Sequence, residues 1–221
     1  MGKHKMADGL EYQNRTAALR ECKGLRGIFG GPTDRQLLHL LAAEVGGDVI
    51  PAGLFQFDCV RINFGGWTLN FDYVIPSRST ATRVRCRFVT HDNFTFRSTR
   101  ASPFTRFARL LGVQDRRLGI PLIDESLVLH GTDPFKVRAL FADPHVIACL
   151  CAQPPGWVHF GVERCRPVQS GQPETFELNV TLNTRVKHSG HLRQLLQFSA
   201  AILDRLVAIG SAGRYILDES A

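Results

Sequence analysis

Residues 83–88 carry the sequence Arg-Val-Arg-Cys-Arg-Phe, in which three arginines alternate with three apolar residues. Side chains of a β-strand point alternately to the two faces of its sheet, so Arg83, Arg85 and Arg87 share one face, with about 6 to 7 Å between neighbours. We call these three residues the arginine stripe. The apolar residues between them face the opposite side, toward a core. The stripe therefore predicts a sheet with one hydrophobic face and one basic, hydrated face.

The period-two pattern also runs through the sequence around the stripe, from residue 49 to residue 98. Apolar and polar residues alternate over residues 67–75, and Gly65-Gly66 stands where a hairpin turn is needed. Phe94 and Phe96 continue the alternation after a polar turn. Because successive strands joined by short turns pair in antiparallel fashion, this region is predicted to form a meander of about four strands.

Three helices are predicted from their capping residues. The first begins with a capping box at Thr33 and Gln36 and ends at Gly46-Gly47. Two short helices begin at Asp133-Pro134 and Asp143-Pro144. In each, an acceptor side chain precedes the proline, whose missing N–H costs nothing at a helix start.

Two further helices are predicted, one over residues 102–112 and one over residues 190–209. The first starts with Ser102-Pro103 and ends at a glycine. The second has an apolar arc that is wider than the stripe of about 100° on a surface helix. We expect this arc to lie across a sheet, and any part that stays exposed to form a homodimer contact. The arc consists of Leu192, Leu195, Leu196, Leu203, Leu206 and Val207.

A second hairpin is predicted from alternating residues in two arms, 157–165 and 176–183. Strands come in runs separated by helices, so the predicted fold class is α+β. It is an antiparallel sheet, a meander plus the second hairpin, with helices packed mainly on one face. Residues 27–210 are predicted to form a single domain between a polar N-terminal arm, residues 1–26, and a C-terminal tail, residues 211–221.

Composition points to a soluble cytoplasmic protein with a basic surface. The formal net charge is +7, and 22 arginines stand against 5 lysines. Arginine suits contacts to phosphate or carboxylate, although a GC-rich genome also raises arginine content without a functional cause. The six cysteines show no Cys-x-x-Cys pair and are interpreted as reduced core residues. Neither a secretory signal nor a membrane-spanning segment is apparent, so no membrane partner is expected.

The arginine stripe is the first candidate site, as an anion-binding face that contacts phosphates. Sheets that bind single-stranded nucleic acid place aromatic side chains beside the cations, so that bases can stack on them. Here Phe88 points to the other face. The pattern therefore disfavours nucleic acid and favours ion pairs across strands, in which the arginines bind Asp72 or Asp58.

The second candidate is the polar pair His91 and Asp92, in the turn that follows the stripe. A hydrolase or transferase could use them as acid and base, but this chemistry needs a partner group and a shifted pKa in a pocket. The simpler interpretation is that Asp92 is a turn residue whose carboxylate accepts a backbone N–H.

No metal site and no cofactor are predicted. The pairs Cys149/Cys151 and His188/His191 lack the spacing and context of zinc ligands. Residues 210–213, Gly-Ser-Ala-Gly, follow a helix and lack the Gly-x-Ser-x-Gly spacing of an activated serine, so they are interpreted as a helix C-cap.

A further expectation comes from residues 123–129, Ile-Asp-Glu-Ser-Leu-Val-Leu, which are followed by Asp133 and by Val-Arg-Ala-Leu-Phe at residues 137–141. This arrangement resembles a pattern in a family of uncharacterised bacterial proteins, with an extended acidic and apolar segment, a short loop with aspartate, and a short helix. The similarity reaches back to the strand at residues 82–85 and so covers about half of the chain. The resemblance implies a bacterial α+β domain and supplies no catalytic residues.

Three functional hypotheses follow. The first is a non-catalytic binding or scaffold module that uses the polar sheet face or the last helix. The second is a hydrolase or transferase with a site near His91 and Asp92. The third is a weak anion or nucleic-acid binder that uses the arginine stripe.

Overall fold

The computed structural model describes residues 33–51, 58–75, 80–100, 127–154, 158–165 and 174–213. Within these ranges, four helices accompany a nine-stranded antiparallel sheet, which confirms the predicted α+β class. The helix predicted over residues 102–112 lies outside the described residues. The elements in chain order are α1 (Asp34–Val45), β1 (Asp48–Ile50), β2 (Cys59–Phe64), β3 (Trp67–Val74), β4 (Ala81–Thr90), β5 (Phe96–Arg100), β6 (Leu127–Gly131), α2 (Pro134–Phe141), α3 (Pro144–Cys151), β7 (Val158–Arg164), β8 (Thr175–Leu182), α4 (Ser189–Ala208) and β9 (Ala212–Gly213).

The strands are ordered β1-β2-β3-β4-β8-β7-β5-β6, and β9 pairs with β4. The four-stranded meander is confirmed by β1 to β4, and the second hairpin by β7 and β8. Gly65 and Gly66 form the β2–β3 turn with φ of 60° and 78°, values that glycine adopts without steric cost. Strand β5 does not extend the meander, because β8 occupies the edge of β4 and β5 pairs with β6 and β7.

Capping bonds confirm the three helix starts that were predicted from capping residues in the described ranges, those of α1, α2 and α3. Thr33 Oγ1 accepts from the Gln36 N–H at 3.3 Å, and Gln36 Oε1 accepts from the Thr33 N–H at 2.9 Å. Asp133 caps α2 and Asp143 caps α3, each through its side-chain carboxylate. These bonds satisfy backbone donors that have no partner inside the helix.

The core lies between one face of the sheet and helices α1 and α4. The five leucines of the predicted apolar arc on α4 all have 0% exposure, whereas Val207 is 38% exposed. The arc therefore packs inside the chain, and each leucine contributes about 1.5 to 3 kcal/mol of burial energy. Ring contacts continue this core toward β5 and α2 through Phe96, Phe141, Phe160 and Phe198.

The sheet extends past residue 210, the predicted end of the domain. Ser211 and Ala212 are 2% and 3% exposed, and β9 pairs with Val89 and Thr90 at the end of β4. Gly210 ends α4 with φ of 74°, as the predicted helix C-cap requires. None of the described helices is long and apolar enough to cross a membrane.

Candidate functional site

The arginine stripe lies on the sheet face opposite the core. Its neighbours in sequence, Val84 and Cys86, are buried, while the side chains of Arg83 and Arg85 are 27% exposed and that of Arg87 is 61% exposed. The predicted alternation is therefore confirmed. We call this side the polar face, and its central residues are Asn70 and Asp72 of β3, the stripe on β4, and Glu177 and Asn179 of β8.

Asp72 holds two arginines of the stripe. Arg83 donates from Nε to Asp72 Oδ1 at 2.9 Å and from Nη2 to Oδ2 at 2.6 Å, and Arg85 donates from Nη2 to Oδ2 at 3.0 Å. Asp72 is only 5% exposed and lies directly opposite Arg83 in the β3–β4 register. Its hydrogen bonds raise the pKa of Arg83 further, against the opposing effect of burial.

The ion pairs predicted across the strands thus include Asp72. They do not include Asp58, which binds Arg35 of α1 instead, with Nε 2.7 Å from Oδ2. Asp58 precedes β2, whereas Asp72 lies in β3 beside the stripe. Strand pairing, which sequence alone does not give, decides between the two carboxylates.

Glu177 extends this network on the other side of β4. Its Oε2 is 3.4 Å from Arg87 Nε and 4.0 Å from Arg85 Nη1, and it lies opposite Arg87 in the β4–β8 register. Three arginines and two carboxylates leave a net charge of +1. Arg85 bridges the two carboxylates, and its Nε is buried without a hydrogen-bond partner in the described part of the chain.

The strand register also aligns polar residues in a row across the face. Arg61, Asn70, Arg85 and Asn179 lie on four adjacent strands, β2, β3, β4 and β8. With about 4.8 Å between strands, Arg61 and Arg85 lie about 10 Å apart. Arg61 is exposed and forms no ion pair with another described residue. The described Phe, Trp and Tyr residues of the strands alternate onto the core face.

Asp92 forms a second polar cluster with two residues that sequence reasoning did not associate with it. Asp92 Oδ2 accepts hydrogen bonds from Lys136 Nζ and, at 2.8 Å, from Ser211 Oγ. Asp92 Oδ1 accepts from the Phe94 N–H at 3.0 Å, which is the backbone contact predicted for a turn residue. The three chain positions are far apart and carry no shared motif, so only the tertiary structure brings them together.

The hydrogen bonds of this cluster join the turn after β4 to helix α2 and to the segment after α4. Burial would raise the pKa of Asp92, but the bonds from Lys136, Ser211 and the Phe94 N–H outweigh it and lower that pKa. A carboxylate with a lowered pKa is a poor general base. Ser211 is 2% exposed and its hydroxyl donates a hydrogen bond to this carboxylate, while the His91 backbone N–H donates to the Ser211 carbonyl at 3.2 Å.

The remaining candidates stay separate from both clusters. The rings of His188 and His191 lie 6.3 Å apart, and Cys149 Sγ lies 3.9 Å from His145 Nε2 within α3. The described ranges contain no group of three or more potential metal ligands.

Comparisons of the chain with protein-family models, with curated proteins and with solved structures found no match. Its function therefore has to be argued from the chemistry of the polar face and of the Asp92 cluster.

Proposed function

We propose that this chain is a non-catalytic binding module whose polar face binds an acidic protein partner. One observation carries the proposal: the buried carboxylate of Asp72 holds Arg83 and Arg85 in place while part of each guanidinium stays exposed. A guanidinium has five N–H donors, and Asp72 uses two from Arg83 and one from Arg85. The other donors can bind a carboxylate from a partner without a large loss of side-chain entropy, because the arginines are already ordered.

An acidic protein fits this face better than nucleic acid does. Stacking of bases needs aromatic side chains beside the cations, and the described Phe, Trp and Tyr residues of the strands lie on the core face. The network also carries a net charge of only +1, since Asp72 and Glu177 neutralise most of the stripe. Such a face gives weak attraction to a phosphate backbone, which binds mainly by charge.

An enzymatic site at His91 and Asp92 is the alternative, and the geometry supports it less. The Asp92 carboxylate is already occupied by Lys136, Ser211 and a backbone N–H. Catalysis there would require these bonds to break before Asp92 could accept a proton from a substrate.

The proposal also includes the cellular setting predicted from the sequence. We infer a bacterial cytoplasmic protein, and the five described cysteines, which are all free, support a reducing compartment. The predicted homodimer through residues 190–209 stays a prediction. It would have to use Val207 in place of the buried leucines of the arc.

The proposal is tested by binding of a poly-glutamate peptide at constant ionic strength. Substitution of both Arg83 and Arg85 by lysine retains their charge and a cationic partner for Asp72. It removes the planar guanidinium, which can bind one carboxylate through two parallel N–H donors. We expect this double variant to bind about tenfold more weakly. The matched control replaces two exposed arginines of the helices, Arg138 and Arg193, by lysine and should bind like the wild type.

Three outcomes would contradict the proposal. Equal binding by the Arg83/Arg85 variant and the wild type would show that total charge suffices. Failure of the wild type to bind poly-glutamate would show that the face does not recognise carboxylates. Tighter, salt-sensitive binding of single-stranded DNA, weakened by the same variant, would favour the nucleic-acid hypothesis.

A further inference from the structure

A recess lies where strand β5 separates from β7. The two strands share only two register pairs, Phe96 with Val162 and Arg97 with Gly161. Strand β7 continues for two more residues, Glu163 and Arg164, which in the described part of the chain pair with β8 alone. The recess has a volume of about 470 Å³, within the usual range of about 300 to 1,000 Å³ for small-molecule sites. Its polar lining consists of Thr95, Arg97, His130, Thr132, Glu163 and Arg164.

Arg97 is the cation in this recess that has no partner within the described ranges. Its neighbours across the strands are His130 on β6 and Gly161 on β7, and neither is acidic. Gly161 is required because β5 approaches closely: an added Cβ would lie 2.7 Å from the Phe96 carbonyl oxygen. The same absence of a side chain means that no side chain lies directly opposite Arg97 on that strand. Arg164, in contrast, forms an ion pair with Glu174.

Glu163 adds a second functional group to the recess. It is exposed and lies directly opposite Glu177 in the β7–β8 register, and like charges in this position destabilise a sheet. Glu177 is paired with Arg87, but Glu163 forms no ion pair with another described residue. A ligand that brings a positive donor to Glu163 would offset this repulsion.

Two hydrogen bonds join the strand ends that line the recess. The Thr132 N–H donates to the Thr95 carbonyl at 3.0 Å, and the Thr95 N–H donates to Thr132 Oγ1 at 3.1 Å. These bonds fix β5 against β6 at the point where both leave the sheet. Arg97 therefore lies near a strand end that these bonds hold in place, and Glu163 lies two residues beyond Gly161, the register partner of Arg97 on β7.

We propose that this recess binds a small zwitterion, with an oxyanion at Arg97 and an amine at Glu163. The oxyanion is a phosphate or a carboxylate, both of which match the guanidinium fork. His130 and the Thr95 hydroxyl supply further hydrogen-bond groups in the lining. This inference goes beyond the binding of an acidic protein and does not depend on it, since neither Arg97 nor Glu163 belongs to the stripe or its ion pairs.

The test uses two probes, phosphoethanolamine and β-alanine, in calorimetric titrations at constant ionic strength. Saturable binding of either probe is expected, and the stronger one identifies the oxyanion as phosphate or carboxylate. Arg97→Gln should weaken binding by about tenfold or more, as expected for the loss of a charge-assisted bond. The matched control, Arg61→Gln, removes an exposed arginine from β2 on the same face and should leave binding unchanged.

A second variant tests the role of the carboxylate. Glu163→Gln should weaken binding of phosphoethanolamine but should not weaken binding of ethyl phosphate, which lacks the amine. The proposal is overturned if neither probe binds saturably up to about 50 mM, the range of very weak ligands. It is also overturned if Arg97→Gln and Arg61→Gln reduce binding equally. Arg61, Arg97 and Glu163 are all exposed, so circular dichroism should show wild-type secondary structure for each of the three variants.

Discussion

Asp72→Asn tests whether one buried carboxylate organises the polar face. The substitution preserves the shape of the side chain but removes its charge and places an amide donor beside arginine donors. Asp72 receives three hydrogen bonds, of 2.6, 2.9 and 3.0 Å, and is 5% exposed. Breaking a fully buried ion pair costs about 3 to 5 kcal/mol. Because the side chains of Arg83 and Arg85 are 27% exposed and can bind water, we expect a loss of about 2 to 3 kcal/mol.

The loss can be measured by urea unfolding. With a slope of about 3 kcal/mol per molar urea, the midpoint should fall by about 0.7 to 1 M. Glu177→Gln is the matched control, because its contacts to Arg85 and Arg87 are longer, at 4.0 and 3.4 Å, and Arg87 is 61% exposed. Glu177→Gln should lower the free energy of unfolding by about 1 kcal/mol or less. If Asp72→Asn costs no more than this control, the arginines are held by other contacts and the argument for a preorganised face fails.

Four further predictions concern packing, pH, thiols and assembly. Gly131→Ala should lower the stability of the protein by about 1 to 3 kcal/mol in thermal unfolding, because the added Cβ would lie 2.5 Å from a Val137 methyl carbon. The control Gly190→Ala places its Cβ in open space on α4 and should not destabilise the protein. A lowered pKa means that Asp92 stabilises the fold above its ordinary pKa and loses this contribution as pH falls through the lowered value. Urea unfolding should therefore show that Asp92→Asn destabilises the protein near pH 7, and that its difference from the wild type shrinks as pH falls below the ordinary pKa of an aspartate. Cys151, which is exposed, should react with a thiol reagent before the other described cysteines. If α4 mediates self-association, light scattering should show a dimer, and Val207→Ser should weaken it. A wild-type monomer at micromolar concentration would refute that prediction.

Local patterns predicted much of the fold because local forces determine those features. Alternation around the stripe assigned Arg83 and Val84 to opposite faces, since successive side chains on a strand point in opposite directions. Thr33 predicted a helix start because its hydroxyl satisfies a donor three residues away. Neither inference required knowledge of the rest of the chain.

The order of strands and the partners of the polar residues could not be predicted in the same way. Strand β8 lies beside β4 although about 90 residues separate Arg87 from Glu177, and no local pattern encodes this pairing. The contact of Asp92 with Ser211 spans 119 positions. The stripe allowed acidic partners to be suggested, but only the register showed that Asp72 was one of them.

The ion pairs of Asp72 on the polar face could serve either the stability of the fold or the recognition of a partner. A buried ion pair is weak evidence for stability, because desolvation of the charges offsets their attraction and apolar residues of similar volume often stabilise as well or better. Asp72 is almost fully buried, yet both of its arginine partners retain exposed area. A network selected for stability alone would gain more from apolar replacements than from two arginines that stay partly exposed to water. Their partial exposure on a fixed carboxylate favours recognition of an acidic partner as the reason for the stripe.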